Sequence, residues 1–273
     1  MTAHLALVPV PQDPRMDGII KLAVLAVGGQ GGGVLTGWIE TLARANNYAC
    51  QATSVAGVAQ RTGATVYYVE MCPATDRQPV FNLMPAAGDV DIMITAEMME
   101  AGRAIIRGFV TPDRTTLITS THRALAVSEK MVPGDGIASS AEVIAAAEIA
   151  ARRVIAADFD AVAVAHGSVI SATLFGALSA SDALPFPREA FEAAIRAGGK
   201  GVEPSVRAFA AGYDAALSGT APPEPADKPA PTLRGPEALI ADWTRLTRRI
   251  DALPAPAQDI ARAGLQKVVA FQD

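Results

Sequence analysis

The sequence predicts an α/β fold: a three-layer α/β/α sandwich with a mainly parallel or mixed sheet, followed by a helical C-terminal appendage. Three observations carry this expectation. Short, fully apolar runs such as KLAVLAV at 21–27 suit strands buried on both faces. Segments with apolar residues at helical spacing alternate with those runs, the pattern of a sheet covered by helices. Half of the 273 residues are hydrophobic and 19% are charged, so the chain can bury a large core and is not globally disordered.

Residues 1–19 are broken by prolines and lack a basic leader or a long apolar stretch, which makes them a lead-in rather than a signal peptide. The α/β domain is expected over 20–217. After the first strand, Leu35, Trp38, Ile39, Leu42 and Ala45 form one stripe of a helix over 34–47, which Asn46 and Asn47 end. Residues 48–55 alternate like a second strand, and TVYYVEMC at 65–72 is rich in β-branched and aromatic residues. The 54–72 region could form an antiparallel excursion. A strand running into a helix follows over 89–105, then a buried strand over 115–121. Alanine-rich SAEVIAAAEIAARRVIAAD at 140–158 reads as one helix. A strand at 159–165, an apolar helix from about Val169, and helices over 184–199 and 203–217 complete the domain.

The stretch 218–236 holds six prolines and reads as a linker. Within 237–273, Leu239, Ile240, Trp243, Leu246 and Ile250 line one amphipathic helix, and Ile260, Ala261, Leu265 and Val268 a second. The uncharged stretches 22–39 and 161–181 approach membrane-spanning length. Glycines interrupt the first, and His166, Ser168, Ser171 and Thr173 the second, so a buried strand–loop–helix is expected in each and no membrane segment. A net charge of −5 without a basic run argues against nucleic acid as a partner. The two cysteines, Cys50 and Cys72, fit a reducing cytoplasm and cannot supply a four-thiolate cluster.

The most unusual stretch is GGQGGG at 28–33, between the first strand and the first helix. It is not a dinucleotide fingerprint: counted from Gly29 the third glycine position is Val34, and counted from Gly28 the second is Gln30. No Asp or Glu lies between Glu40 and Glu70 to hold ribose hydroxyls. No Lys-Ser or Lys-Thr closes a phosphate loop. The glycines therefore serve either tight packing or the approach of an anionic group to a helix N-terminus.

A second polar loop, SVAGVAQRTGATV at 54–66, holds Gln60 and Arg61 between Gly57 and Gly63. An arginine fixed there could grip a carboxylate or phosphate with two parallel hydrogen bonds, or simply sit at the surface beside a turn. Taken together, Gly28, Gly29, Gln30 and Gly31, then Ala59, Gln60, Arg61 and Gly63, resemble the gamma-type domain of 2-oxoacid:ferredoxin oxidoreductases. GDVDIMITAEMMEAGRAI and GSVISATLFGALSASDALPFPREAFEAAI are similar to that family's strand–helix and late helical segments. The resemblance covers roughly 20–217 and is nearest to the beta subunit of indolepyruvate ferredoxin oxidoreductase in its longer bacterial form. Thr62 and Ala64 depart from the Gly and Ser of many relatives, and longer relatives continue past Asp273.

The resemblance implies a subunit of an oxidoreductase that decarboxylates indolepyruvate or another aryl pyruvate on thiamine diphosphate and passes electrons through iron–sulfur clusters to ferredoxin. It implies a larger partner subunit that carries the thiamine diphosphate, Mg and clusters, with coenzyme A collecting the acyl group. This chain would bind none of these alone and be inactive alone. It would complete the partner's active site or coenzyme A site, with Gly28, Gly29, Gln30, Gly31, Gly57, Gln60, Arg61 and Gly63 facing the interface or a phosphate-bearing ligand. No catalytic residue and no metal site are assigned. Two other readings stay open: a nucleotide-binding oxidoreductase with a degenerate glycine fingerprint, and a non-catalytic interaction module.

His122 and His166 are titratable but lie in no triad or metal spacing. His166 is expected to end a strand. Glu97 and Glu100 sit at a helix start, as a pocket edge or as favourable charges near its N-terminus. Asp89 and Asp91 flank Val90 without a third ligand.

Overall fold

The computed structural model describes residues 18–55, 64–124, 139–199, 201–218 and 235–271. Its strands are β1 (Ile20–Ala26), β2 (Tyr48–Val55), β3 (Thr65–Pro73), β4 (Ile92–Thr95), β5 (Thr116–Ser120) and β6 (Arg153–Ala157). They form one mixed sheet in the order β2-β3-β1-β4-β5-β6. β1, β4, β5 and β6 run parallel, whereas β3 lies antiparallel to β1 with Ala26 opposite Thr65, and β2 pairs antiparallel with β3. The excursion from the parallel sheet is thus the β2–β3 hairpin.

The helices among the described residues are α1 (Gly32–Ala45), α2 (Met98–Ile106), α3 (Ser140–Ala150), α4 (Phe159–Ala165), α5 (Ile170–Ala180), α6 (Arg188–Arg196), α7 (Val202–Ser218), α8 (Glu237–Asp251) and α9 (Ala255–Phe271). Strand residues alternate between two cores. Leu22, Val24, Val69, Met71, Ile92 and Ile94 pack with α1 and α4–α7, whose Trp38, Phe159, Phe175, Phe191 and Phe209 are buried there. Ala23, Leu25, Tyr68, Met93 and Leu117 pack with α2 and α3 on the other face. That is the three-layer sandwich. Rings of Phe175 and Phe191 lie 4.9 Å apart, and those of Trp38 and Phe175 5.7 Å apart, so one aromatic cluster joins α1, α5 and α6.

Two expectations fail in one place. The helix read over 140–158 stops at Ala150, and Arg153–Ala157 is the edge strand β6. The segment 159–165, read as a strand, is helix α4. Asp158 explains the switch: its carboxylate accepts the Ala161 N–H at 2.9 Å, capping α4 one residue after β6 ends. His166 consequently ends a helix, not a strand. The first helix begins at Gly32 rather than 34 because Gly31 already serves as its N-cap. Elsewhere the elements fall within a few residues of expectation.

Among the described residues no single helix is long and apolar enough to cross a membrane; α4 and α5, which span most of the second uncharged stretch, meet at 117°. The chain divides into two compact units, residues 1–223 and 224–273. In the second, α8 and α9 face each other across an apolar groove lined by Leu246, Ile250, Leu253, Ala261, Leu265 and Val268.

Candidate functional site at the carboxyl ends of the parallel strands

The chain leaves β1 for α1 on one face of the sheet and leaves β4 for α2 on the other. Neighbouring parallel strands whose connections diverge open a crevice at their carboxyl ends, the usual place for a ligand in an open α/β sheet. Here that edge holds the glycine turn after β1, Ala96–Glu97 after β4, and Thr121–Arg123 after β5.

The glycine turn is tightly held. The Gln30 N–H donates to the Val27 carbonyl at 3.1 Å, and the Val27 N–H donates to Gln30 Oε1 at 2.8 Å. The oxygen end of Gln30 is therefore spent within the turn, leaving its NH₂ for an outside acceptor. Gly29 and Gly31 have φ of 95° and 72°, a region that side-chain-bearing residues rarely adopt. A Cβ on Gly32 would lie 2.9 Å from that of Ala26 and inside the Tyr67 ring. Packing and ligand approach are thus served by different glycines: Gly32 lets α1 close on the sheet, while Gly28 and Gly29 are exposed.

Gly57, Gln60, Arg61 and Gly63 lie outside the described residues. The strands that flank them do not: Thr65, where β3 begins, pairs with Ala26, where β1 ends, and Val55 pairs with Val66. The hairpin end and the glycine turn therefore start from adjacent positions on one edge.

Glu97 is the N-cap of α2 and is only 1% exposed, and Glu100 is 2% exposed. Burial raises the Glu100 carboxyl above its ordinary range, with the Arg103 guanidinium that pairs with it pulling the other way. Among the described residues its Oε2 is buried without a hydrogen-bond partner. Thr95 Oγ1 donates to Thr119 Oγ1 at 2.7 Å, a buried cross-strand link at the same ends. His122 Nδ1 lies 3.6 Å from Asp160 Oδ2, a partner that the expected strand at 159–165 concealed. His166 is exposed and its Nδ1 is bonded to the Val162 carbonyl at 2.9 Å, the position of a helix C-cap.

Asp89 and Asp91 belong to the opposite end. Asp89 pairs with the Lys21 ammonium and with Arg114 Nη1 at 2.5 Å; Asp91 accepts from Arg114 Nε at 2.7 Å and from the Lys21 N–H at 2.8 Å. These bonds tie together the amino ends of β1, β4 and β5.

The donor set does not suit an iron–sulfur cluster. The two thiols sit at Cys50 opposite Met71 and Cys72 opposite Ala49, on opposite faces of the sheet. Among the described residues no three His, Cys, Asp or Glu side chains are placed to hold a metal ion. A dinucleotide reading also loses its geometry. The strand after α1 is the antiparallel edge strand β2, separated from β1 by β3, instead of the parallel neighbour whose end would face a ribose.

Solved structures similar to this chain include three oxidoreductase subunits or enzymes. A pyruvate oxidoreductase subunit from Thermotoga maritima is 16% identical with a TM-score of 0.52, over 72% of this chain and 96% of that one. The gamma subunit of a keto/oxoacid ferredoxin oxidoreductase from Geobacter sulfurreducens is 17% identical with a TM-score of 0.49, over 73% of this chain and 99% of that one. A 2-oxoglutarate:ferredoxin oxidoreductase from Magnetococcus marinus, with 2-oxoglutarate, coenzyme A and succinyl-CoA bound, is 12% identical with a TM-score of 0.49, over 76% of this chain and 32% of that one. No curated protein matches. The pyruvate ferredoxin/flavodoxin oxidoreductase family model matches residues 21–215, nearly the whole α/β unit, and the chain belongs to that family.

Proposed function

We propose that the chain is the smaller subunit of a thiamine-diphosphate-dependent 2-oxoacid:ferredoxin oxidoreductase that acts on indolepyruvate or related aryl pyruvates. A larger, cytoplasmic partner subunit carries the thiamine diphosphate, Mg and iron–sulfur clusters. Thiamine diphosphate supplies decarboxylation there, and this chain's residues bind and orient. The observation that carries the reading is the common edge from which the turn Gly28–Gly31 and the Gln60–Arg61 loop both start, in a chain whose family match spans 21–215.

The exposed Gly28 and Gly29 amides and the NH₂ of Gln30 can donate to a phosphate-bearing ligand such as coenzyme A. Arg61 adds a positive charge suited to the same anion or to a carboxylate of the partner. Electrons pass to ferredoxin through the partner's clusters, so the chain alone is inactive.

Anaerobic affinity purification from the native host tests this directly. A brown complex with a larger subunit, reducing a viologen dye on indolepyruvate, supports the reading. A colourless assembly of this chain alone refutes it, and a brown complex active only on another 2-oxoacid refutes the substrate. In the assembled enzyme, Arg61→Ala is expected to lower turnover more than assembly; unchanged turnover would remove its ligand role.

A further inference from the structure

The two edges of the sheet are finished differently. β6 has five residues and begins at Arg153, directly after Arg152. β2 has eight residues, about 27 Å of strand, with no charge and no proline among them. Its register with β3 runs without a bulge from Tyr48 opposite Pro73 to Val55 opposite Val66. Charges, prolines and bulges are the usual means of blocking a free edge, and β2 has none of them.

The outward backbone groups of β2 can be assigned. The Asn47 carbonyl accepts the Ala74 N–H at 2.9 Å in the same register. Odd-numbered residues therefore bond to β3, and Tyr48, Cys50, Ala52 and Ser54 turn their N–H and C=O away from it. Accordingly, the Cys50 carbonyl accepts Arg44 Nη2 at 3.2 Å from the open side. Arg44 also pairs with Glu40 at 3.1 Å, and the charges of both reach the Cys50 thiol. α1 runs opposite to β2, so Glu40, about 6 Å back along the helix, lies level with about Ala52. On the other face, Gln51 Nε2 and Thr53 Oγ1 donate to the Asn82 and Leu83 carbonyls at 3.2 and 2.7 Å. Those bonds fix Leu83 beside the edge with 68% of its surface exposed, and Met84 next to it is 56% exposed.

We infer that β2 pairs antiparallel with β2 of a second copy of this chain, about a two-fold axis at Gln51, so that two sheets become one. In this register outward groups meet outward groups: Cys50 stands opposite Ala52 of the second copy, and Tyr48 opposite Ser54. The whole strand is used and no like charges face each other within it. Arg44, level with Cys50, comes against Glu40 of the second copy, and the symmetry makes that contact twice. Arg44 then yields the Cys50 carbonyl to the Ala52 N–H of the second copy. On the far face Leu83, held at Thr53, closes over Ala49 of the second copy. The larger subunit proposed above enters neither the argument nor the test, so either inference can fail alone.

Sedimentation velocity of the full chain from about 1 to 100 μM should show a concentration-dependent dimer. Arg44→Glu sets like charges across both symmetry-related contacts and should raise Kd about tenfold or more, and adding Glu40→Arg should restore it. Ser54→Pro removes an outward N–H, leaves the pairing with β3 intact, and should weaken the dimer about tenfold as well. Gln51→Cys reads the register. At the axis the two Cα atoms lie about 4.5 Å apart, within disulfide reach, so mild oxidation should link the chains. Thr53→Cys, roughly 14 Å from its symmetry mate, should not link, and neither should the wild type. The inference is overturned if the chain stays monomeric throughout, if Gln51→Cys does not cross-link, or if neither Arg44→Glu nor Ser54→Pro weakens the dimer.

Discussion

Gly176→Ala should destabilise the α/β unit severely although it adds one methyl group. A Cβ at 176 would meet the Tyr213 nitrogen at 2.7 Å and overlap the Phe209 carbonyl. The same crossing is tight from the other side, where a Cβ at Gly212 would lie 2.5 Å from Thr173 Cα. Both obstacles are helix backbone, which cannot swing aside as a side chain does. Restoring ordinary contact at about 3.5 Å requires α5 and α7 to part by roughly 1 Å. Overpacking typically costs 1–3 kcal/mol, and Ala regains about 1 kcal/mol of helix propensity. Because α5 is buried over its whole length and both obstacles are backbone, the gross cost should lie above that usual range, at about 3–5 kcal/mol, which leaves a net cost of about 2–4 kcal/mol. For a unit of roughly 200 residues that lowers the melting temperature by about 4–16 °C. Gly37→Ala is the control: it is also helical, but nothing lies within 4 Å of its Cβ position. That variant should gain up to about 1 kcal/mol, raising the melting temperature by about 2–4 °C. Thermal unfolding followed by circular dichroism measures both. A Gly176→Ala melting temperature within about 2 °C of wild type would refute the packing argument.

Asp91→Asn removes the charge that accepts from Arg114 and the Lys21 amide, and should cost about 1–3 kcal/mol in urea unfolding. Glu100 makes the stability of the fold depend on pH. A carboxyl whose value is raised in the fold contributes fully below its unfolded value near 4.3 and loses that contribution as pH rises through the folded value. Glu100→Gln should therefore gain on wild type from about pH 4 to pH 7, and a constant difference in melting temperature would show that burial does not set it. Burial pushes the Cys50 thiol up to about 12, so at pH 8 Cys50 should react with a disulfide reagent only when the chain unfolds. Mass mapping of the labelled cysteines distinguishes it from Cys72.

The sandwich was legible because its central strands are buried on both faces and read as unbroken apolar runs. The excursion through β2 and β3 was also visible, in two β-rich runs separated by too few residues for a crossover helix. What misled was alanine. In AARRVIAADFDAVAVA, helix-favouring alanines surround the edge strand β6, while Val162 and Val164 alternate as in a strand but lie on α4. Tertiary pairing with β5 overrides propensity there. The Asp158 cap, with Asp160 in the first turn, was the local signal for the boundary. The His122–Asp160 pair carried no signal of its own, because Asp160 comes within reach of His122 only when 159–165 folds as α4 and not as a strand.

The two ends of the parallel strands are built on opposite electrostatic terms. At the amino ends, Lys21, Asp89, Asp91 and Arg114 satisfy one another through short contacts, and opposite charges stand close enough to compensate their burial. At the carboxyl ends, among the described residues, the donors are left over: two helix starts without a side-chain cap, the Gln30 NH₂ and the buried Ser171 hydroxyl. Selection for stability alone would favour a cap at Gly31 or Val169, since Asp, Ser or Asn at an N-cap is worth about 1 kcal/mol. At Gly31 the left-handed backbone adds a cost for most replacements, but Val169 is extended and exposed, so nothing in the backbone forbids an aspartate there. The missing cap at 169 is thus not required by the fold, and the first turn of α5 stays uncapped beside the glycine turn.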